Sequence, residues 1–543
     1  MSNGIFPIPT VKNEPGNTYA PGTQARESLK AELKRQSEIV VDIPLIINGE
    51  DRKTDTVKQV VMPHNHQHVL AKFSEAGEKE LRDAIESAMA AKEAWANMPW
   101  EHRASIFLKA ADLISGSYRD VMNAATMLGQ SKTAIQSEID AAQELIDFLR
   151  FGVECANQIY QIQPDSMKNI WNRTDYRPLD GFVLAISPFN FTAIGGNLPA
   201  APAMMGNVVV WKPATTSVLS NYYFMRILEE AGLPKGVINF VPSRGSQVSE
   251  IVLTDPCMSG FHFTGSTDTF NTIWKTVGEN ISKYESYPRL VGETGGKDFV
   301  FAHETAQADK VVAGLVRGAF EYQGQKCSAA SRAYIPASMW EEVKAGLLEE
   351  TAKLKVGDVR DFRNFMGAVI DKPAFDSITS YIDYAAESKE AEIIAGGTYD
   401  DSVGYFVQPT IIVTTNPNFK TMVEEIFGPV LTIYVYENDK MEETLDSVNT
   451  ASMYALTGAI FAQDRQVIMH LERRLSGAAG NFYINDKPTG AMVNQQPFGG
   501  SRGSGTNDKA GSIFNMIRWT SPRVIKENFA PTTDVAYPFM DEE

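Results

Sequence analysis

Residues 181–213 read GFVLAISPFNFTAIGGNLPAAPAMMGNVVVWKP. The first part, GFVLAIS, is an apolar run with the character of a strand buried on both faces. NFTAIGGNLPAAPAMMG follows as a helix, and NVVVWKP is again an apolar, β-branched strand. Two buried strands joined by a helix form a parallel pair, because a parallel connection needs a crossover.

The alternation continues downstream. SVLSNYYFMRILEEAG, QVSEIVLTD and STDTFNTIWKTVGENI read as helices, with VINFVPS and GFHFTG as the strands between them. This predicts a parallel sheet covered on both faces, a nucleotide-binding architecture. A second α/β pattern runs from about Arg289. Its expected strands are FVFAHE, SRAYIP, FVQPTIIVTT, LTIYVY, GAIFAQD and GNFYIN, and one of its helices is ADKVVAGLVRGAFEYQG. Upstream, Ala25 to Ile39 forms an amphipathic helix, and LIINGEDRK turns as a hairpin at Asn48-Gly49. From Glu78 to about Ile159 the apolar period is helical. His64, His66 and His68 alternate, but no cysteine or paired carboxylate accompanies them. They read as a polar loop leading into the strand VLAKF, and no metal site is expected.

The chain has 543 residues, enough for two or three cores. Its formal net charge of −17 argues against nucleic acid or an anionic membrane surface as the main partner. Cys155, Cys257 and Cys327 are far apart, so neither a disulfide framework nor a zinc site is expected, and a reducing compartment fits. The start is rich in Pro, Gly and Asn, without signal or transit features. The expected compartment is the cytoplasm, with the mitochondrial matrix as the alternative.

Ligands of such sheets bind beyond the carboxyl ends of the strands, so each strand-to-helix junction matters. In ISPFNFTA, Asn190 offers an amide donor of the kind a developing oxyanion needs, or a simple helix cap. In WKPATTS, Lys212 can reach a ribose or a phosphate, or only solvent. In FTGSTDTF, Gly265 permits a tight turn and Ser266 opens a helix whose N–H groups suit pyrophosphate. In LVGETGGKDFVF, Glu293 is a candidate general base beside Gly295 and Gly296. In FEYQGQKCSAASR, Cys327 is either a nucleophile or a small buried hydrophobe. Small neighbours leave it room, and Lys326 with nearby N–H groups is expected to favour thiolate. EEIFGPVL carries Glu424 and Glu425. The glycine-rich FYINDKPTGAMVNQQPFGGSRGSGTND is too long for a plain connector.

In this order, SPFN, WKP, FTGS, GETGGK, GQKCSA, EEIFGP and PFGG resemble the aldehyde dehydrogenase superfamily over nearly the whole chain. AISPFNFTAIGGN, AFEYQGQKCSA, GNFYIND, QQPFGG and SGTND resemble most the branch that oxidises L-glutamate γ-semialdehyde to L-glutamate in proline degradation. The resemblance implies an α/β fold with a parallel-sheet NAD-binding domain, an α/β catalytic domain and a small β flap. Residues 1–24 would be an arm, and 25–160 with 179–291 the dinucleotide domain. Residues 292–497 would be the catalytic domain, 161–178 with 519–543 the oligomerisation flap, and 498–518 a return segment.

It also implies roles. Cys327 would attack the aldehyde, Asn190 would hold the oxyanion, and Glu293 would activate the hydrolytic water. Ile186, Ser187, Phe189, Lys212, Pro213, Gly265, Ser266, Phe270, Glu293, Gly295, Glu425 and Phe427 would contact NAD. Thr215 stands where NAD-demanding relatives often carry a carboxylate, which leaves NADP open. Ser187, Gly490 and Ala491 would take the substrate carboxylate, and Phe498 would wall its aliphatic chain. No metal is implied, and a homodimer or larger homo-oligomer is. The rival readings are a dehydrogenase for another acidic semialdehyde, such as succinate semialdehyde, and a catalytically silent relative.

Overall fold

Two seven-stranded sheets carry the architecture of this computed structural model, which describes residues 6–541. The outermost positions of the expected arm and flap, 1–5 and 542–543, lie outside the described residues. In the first sheet the strands run in the order Arg289–Glu293, Met258–Thr264, Phe182–Ile186, Val209–Lys212, Ile238–Phe240, Leu45–Ile47 and Glu50–Arg52. The first five are mutually parallel, and the last two form the antiparallel hairpin predicted at Asn48-Gly49. The chain leaves Phe182–Ile186 in one direction along the sheet and later returns to its other side with Met258–Thr264. That reversal opens a crevice at the carboxyl ends of these two strands, where Ser187 to Asn190 and Gly265-Ser266 lie.

The second sheet runs Ala391–Ala395, Thr410–Thr414, Val430–Tyr436, Ala330–Pro336, Asp298–Ala302, Thr457–Phe461 and Asn481–Ile484, parallel except at the first edge. Its interior strand Asp298–Ala302 shows how a strand of this sheet is covered on both faces. Phe299 and Phe301 enter one apolar cluster while Val300 and Ala302 enter the other, so both faces are covered. Apart from the sheets, Ile170–Arg177 and Ser521–Asn528 pair antiparallel as a two-stranded ribbon.

The helix Thr192–Met204 contains Pro199 and Pro202, which lack the N–H that would bond Gly195 and Leu198. Both freed carbonyls find side-chain donors. Ser187 Oγ donates to Gly195 O at 3.1 Å, and the buried His262 Nδ1 lies 2.9 Å from Leu198 O. Burial pushes the His262 pKa down to about 3, so the ring is neutral with its proton on Nδ1.

Two expectations are corrected. The segment after His64 is not a polar loop: the strand begins at Asn65 and runs to Ser74. The three histidines also diverge. His64 is buried against Ser131 Oγ at 3.2 Å, and His66 stacks on Tyr405 with ring centroids 5.0 Å apart. The helix expected through Gly324 stops at Phe320. Tyr322, Gln323 and Gly324 then turn left-handed, with φ of 53°, 55° and 66°. Tertiary bonds enforce that turn. Gln323 Nε2 donates to Ser131 O at 2.9 Å and Ala368 O at 2.8 Å, and its Oε1 accepts from Gly367 N at 2.9 Å.

Candidate active site

The turn places Cys327 between the sheets. The residue is half-buried and forms no disulfide. Gly324 is required, because a Cβ there would lie 2.2 Å from Gly428 O. Two left-handed non-glycine residues just before a cysteine cost about 1–3 kcal/mol each, sustained by the Gln323 bonds. Gln325 Oε1 accepts from Ile370 N at 2.9 Å, which fixes the last residue before Lys326 and Cys327.

The expected help from Lys326 is absent. Its Nζ is buried in an ion pair with Glu321 Oε2 at 3.0 Å, so its charge is already balanced. The thiol instead lies in an acidic surrounding. Burial, then Asp298, Glu293, Glu425 and Glu144, push its pKa well above the ordinary thiol value. Asp298 and Glu144 are themselves pushed up to about 8, first by burial. Neither acid stands out in the sequence. Only the fold brings Glu144, from the π-helical stretch Glu138–Glu144, to the cysteine.

Asn190 is buried, and its Nδ2 donates to Gln325 O at 3.1 Å. A primary amide has a second N–H for another acceptor. Ser187 behaves differently from its expected role. Its Oγ donates to Gly195 O and accepts from Trp211 Nε1 at 2.7 Å. The proline-freed carbonyl thus commits the hydroxyl, and neither a substrate carboxylate nor a cofactor finds it free.

Glu293 ends the last strand of the first sheet. Its Oε1 sits 2.9 Å from where a Gly499 Cβ would be, so the carboxylate packs directly against that glycine. Its Oε2 is buried with no partner. Burial raises its pKa well above the carboxylate range, opposed by Lys509 and by the Gly500 N–H. Lys509 Nζ is anchored on Gly480 O and Gly499 O, each at 2.8 Å.

The cofactor candidates fall along the crevice. Ser266 caps the helix Thr267–Glu279, its side chain accepting from Thr269 N at 3.3 Å. Lys212, at the next strand end, has only a 3.5 Å contact with Pro213 O, and burial lowers its pKa to about 8. Ile186 ends its strand and Pro213 directly follows the strand end at Lys212, and a Cβ on Gly265 would meet the Phe263 ring at 2.6 Å. Glu425 and Glu424 part company. Glu425 turns inward, accepting from Gly296 N at 2.8 Å, whereas Glu424 accepts from Tyr381 Oη at 2.7 Å on the exterior. A Cβ on Gly295 would meet Glu425 Oε2 at 2.6 Å, so the backbone stays bare there. Phe189 and Phe427 meet edge to face at 5.8 Å across the sheets, with Phe427 left-handed at φ 58°. Phe270 is buried in a stack with Phe263 at 5.5 Å, behind Gly292, so it backs the wall instead of lining it. Lys297, also missed in the sequence, is buried with Nζ unpaired and its pKa lowered to about 7 by burial. A helix N-terminus, a half-satisfied lysine, bare glycines and an inward carboxylate fit a dinucleotide.

The glycine-rich loop closes the far side. Ser328 Oγ and Thr489 Oγ1 are 2.8 Å apart, joining the cysteine segment to Gly490, whose φ is 93°, and to the half-buried Ala491. Phe498 bridges to Ala510, its N donating to Ala510 O at 3.1 Å.

Residues 50–525 match the model of the Aldehyde dehydrogenase family. The Delta-1-pyrroline-5-carboxylate dehydrogenase of Agaricus bisporus is 52% identical over 536 residues, 98% of each chain. The mitochondrial enzyme of that name from Dictyostelium discoideum is 53% identical over 98% of this chain and 96% of its own. The crystal structure of the Delta-pyrroline-5-carboxylate dehydrogenase from Mycobacterium tuberculosis bound with NAD is 51% identical. It superposes with a TM-score of 0.97, each chain covered in full. The chain belongs to the aldehyde dehydrogenase family.

Proposed function

We propose that this protein oxidises L-glutamate γ-semialdehyde, in equilibrium with Δ1-pyrroline-5-carboxylate, to L-glutamate with NAD. The observation that carries this reading is the meeting of Cys327, Asn190 and Glu293 beside a loop with a bare glycine backbone. Full-length identity near 50% with enzymes of that name supports the substrate.

Cys327, once deprotonated, attacks the aldehyde carbon, and a C–S bond forms as the carbonyl oxygen becomes an oxyanion. The free N–H of Asn190 and the Cys327 backbone N–H hold that oxyanion. The former aldehyde C–H bond then breaks as hydride leaves and the carbonyl re-forms, which gives a thioester on Cys327; NAD, when bound, would supply the acceptor for that hydride. Lys212 and Glu425 would hold its riboses and the N-terminus at Ser266 its pyrophosphate. Glu293 takes a proton from water, which attacks the thioester carbon. The C–S bond breaks, glutamate leaves and the thiol is regenerated. The unpaired Glu293 Oε2 supports this role.

For the substrate carboxylate, the hydroxyl beside Gly490 and Ala491 is Ser328, through its contact with Thr489. Ser187 is withdrawn from that set. The lone ribbon with exposed Trp171 and Val524 supports a homo-oligomer, since an isolated two-stranded ribbon is marginal by itself. Three free cysteines suit the cytoplasm or the mitochondrial matrix.

The test is a steady-state assay with pyrroline-5-carboxylate and with succinate semialdehyde, each with NAD and NADP. A higher kcat/KM for succinate semialdehyde overturns the substrate assignment.

A further inference from the structure

Among the described residues, 6–23 run without regular structure up to the helix Gln24–Ser37, yet they are tied down through Asn13, Glu14 and Tyr19. Glu14 is buried between Arg119 and Arg150, each at 2.6 Å. Tyr19 Oη donates to Glu138 Oε2 at 2.6 Å. The third tie, Asn13, reaches the glycine-rich loop. Its Nδ2 donates to Asp147 Oδ2 at 2.7 Å and to Val493 O at 3.0 Å, and its Oδ1 accepts from Gln495 Nε2 at 2.9 Å.

The loop is therefore held at both ends. Thr489 is joined to Ser328 beside the cysteine, and Val493 with Gln495 is joined to Asn13. Between them lie Gly490 and Ala491. Recognition of a carboxylate by backbone N–H groups tolerates displacement of only about 0.5 Å. We propose that Asn13 is a positioning residue that fixes Gly490 and Ala491 for the substrate α-carboxylate, making the arm part of substrate specificity. This rests on the reading above, in which that loop takes the carboxylate. Glu14 and Tyr19 secure the arm independently, so the Asn13 contacts are not needed to pack it.

The test compares pyrroline-5-carboxylate with pentanal, an uncharged aldehyde of the same chain length, in wild type, Asn13→Ala and Gln495→Ala. Asn13→Ala should raise KM for the semialdehyde about ten-fold, equivalent to about 1.4 kcal/mol, with kcat, KM for NAD and pentanal kinetics within two-fold. Gln495→Ala, at an exposed residue that leaves the fold intact, should shift the same KM in the same direction. An unchanged semialdehyde KM in both variants overturns the proposal, as does an equal loss on both aldehydes. A wild type with no preference for the semialdehyde over pentanal defeats the underlying functional reading, and this inference with it.

Discussion

Asn190 Nδ2 lies 3.1 Å from the backbone oxygen of Gln325, a bond that spans the two sheets and ties an amide of the first to the cysteine turn of the second. In the mechanism proposed above, the amide so held is pre-positioned for the oxyanion. Asn190→Ala should lower kcat by about 10²–10³-fold, the range for loss of one oxyanion donor, with NAD affinity kept. Single-turnover NADH formation checks it, and a loss confined to later steps would refute the assignment.

Cys327→Ala should abolish NADH formation while NAD still binds, measured by calorimetry. The thiol of the free enzyme is held neutral by burial and four nearby acids, so its pKa is raised. A raised thiol pKa means less thiolate at neutral pH. Alkylation of Cys327 by iodoacetamide should therefore climb with pH through and beyond the ordinary thiol range near 8.5. A plateau reached near neutrality would contradict this electrostatic picture.

Glu293→Gln should separate the two halves of the reaction. The first NADH should form as a burst, and steady turnover should fall by about 10²–10⁴-fold as acyl-enzyme accumulates. Mass spectrometry of the quenched protein detects the thioester. Burial raises the Glu293 pKa, and Lys509 lowers it in part. The base is active only when ionised, so deacylation should rise with pH through a limb above the ordinary carboxylate pKa. Lys509→Met should move that limb to still higher pH, and a shift downward would rule out Lys509 as its counter-charge.

The main architecture was legible because parallel strands buried on both faces must be apolar along their length, as Phe182–Ile186 and residues 299–302 are. What was illegible depended on distant partners. Ser187 looked free because nothing near it in sequence shows that Pro199 strips Gly195 of its donor. The left-handed Tyr322 and Gln323 looked helical because the bonds that turn them come from Ser131, Gly367 and Ala368. Lys326 looked like a thiolate partner because its tie to Glu321 depends on where the helix ends.

The Ser187 correction gives a paired test. Ser187→Ala leaves a buried carbonyl and the Trp211 indole N–H without partners, costing about 1–3 kcal/mol for each. Its denaturation midpoint should fall while KM for the semialdehyde stays near wild type. Ser328→Ala should raise that KM, and its stability cost should be the smaller one of a single unpaired hydroxyl, that of Thr489. The opposite pattern would return the carboxylate contact to Ser187.

Cofactor choice offers the last prediction. Thr215 sits just past Lys212 with no charge of its own, and the carboxylate that acts on Lys212 is Glu75, which directly follows the strand Asn65–Ser74. Glu75 is buried and lies 3.4 Å from Arg244 Nε, so part of its charge is already balanced. A ribose phosphate brought to Lys212 meets weaker repulsion than a carboxylate at position 215 would exert. Wild type should therefore use NADP measurably. Thr215→Glu should lower kcat/KM for NADP about ten-fold or more relative to NAD, since like charges brought together in a partly buried site repel strongly. Glu75→Gln should move the ratio the other way, because it removes the remaining negative charge beside Lys212. Titrating each variant with NAD and NADP by protein fluorescence reads the same preference without turnover. Equal ratios in all three proteins would show that charge at this turn does not select the cofactor.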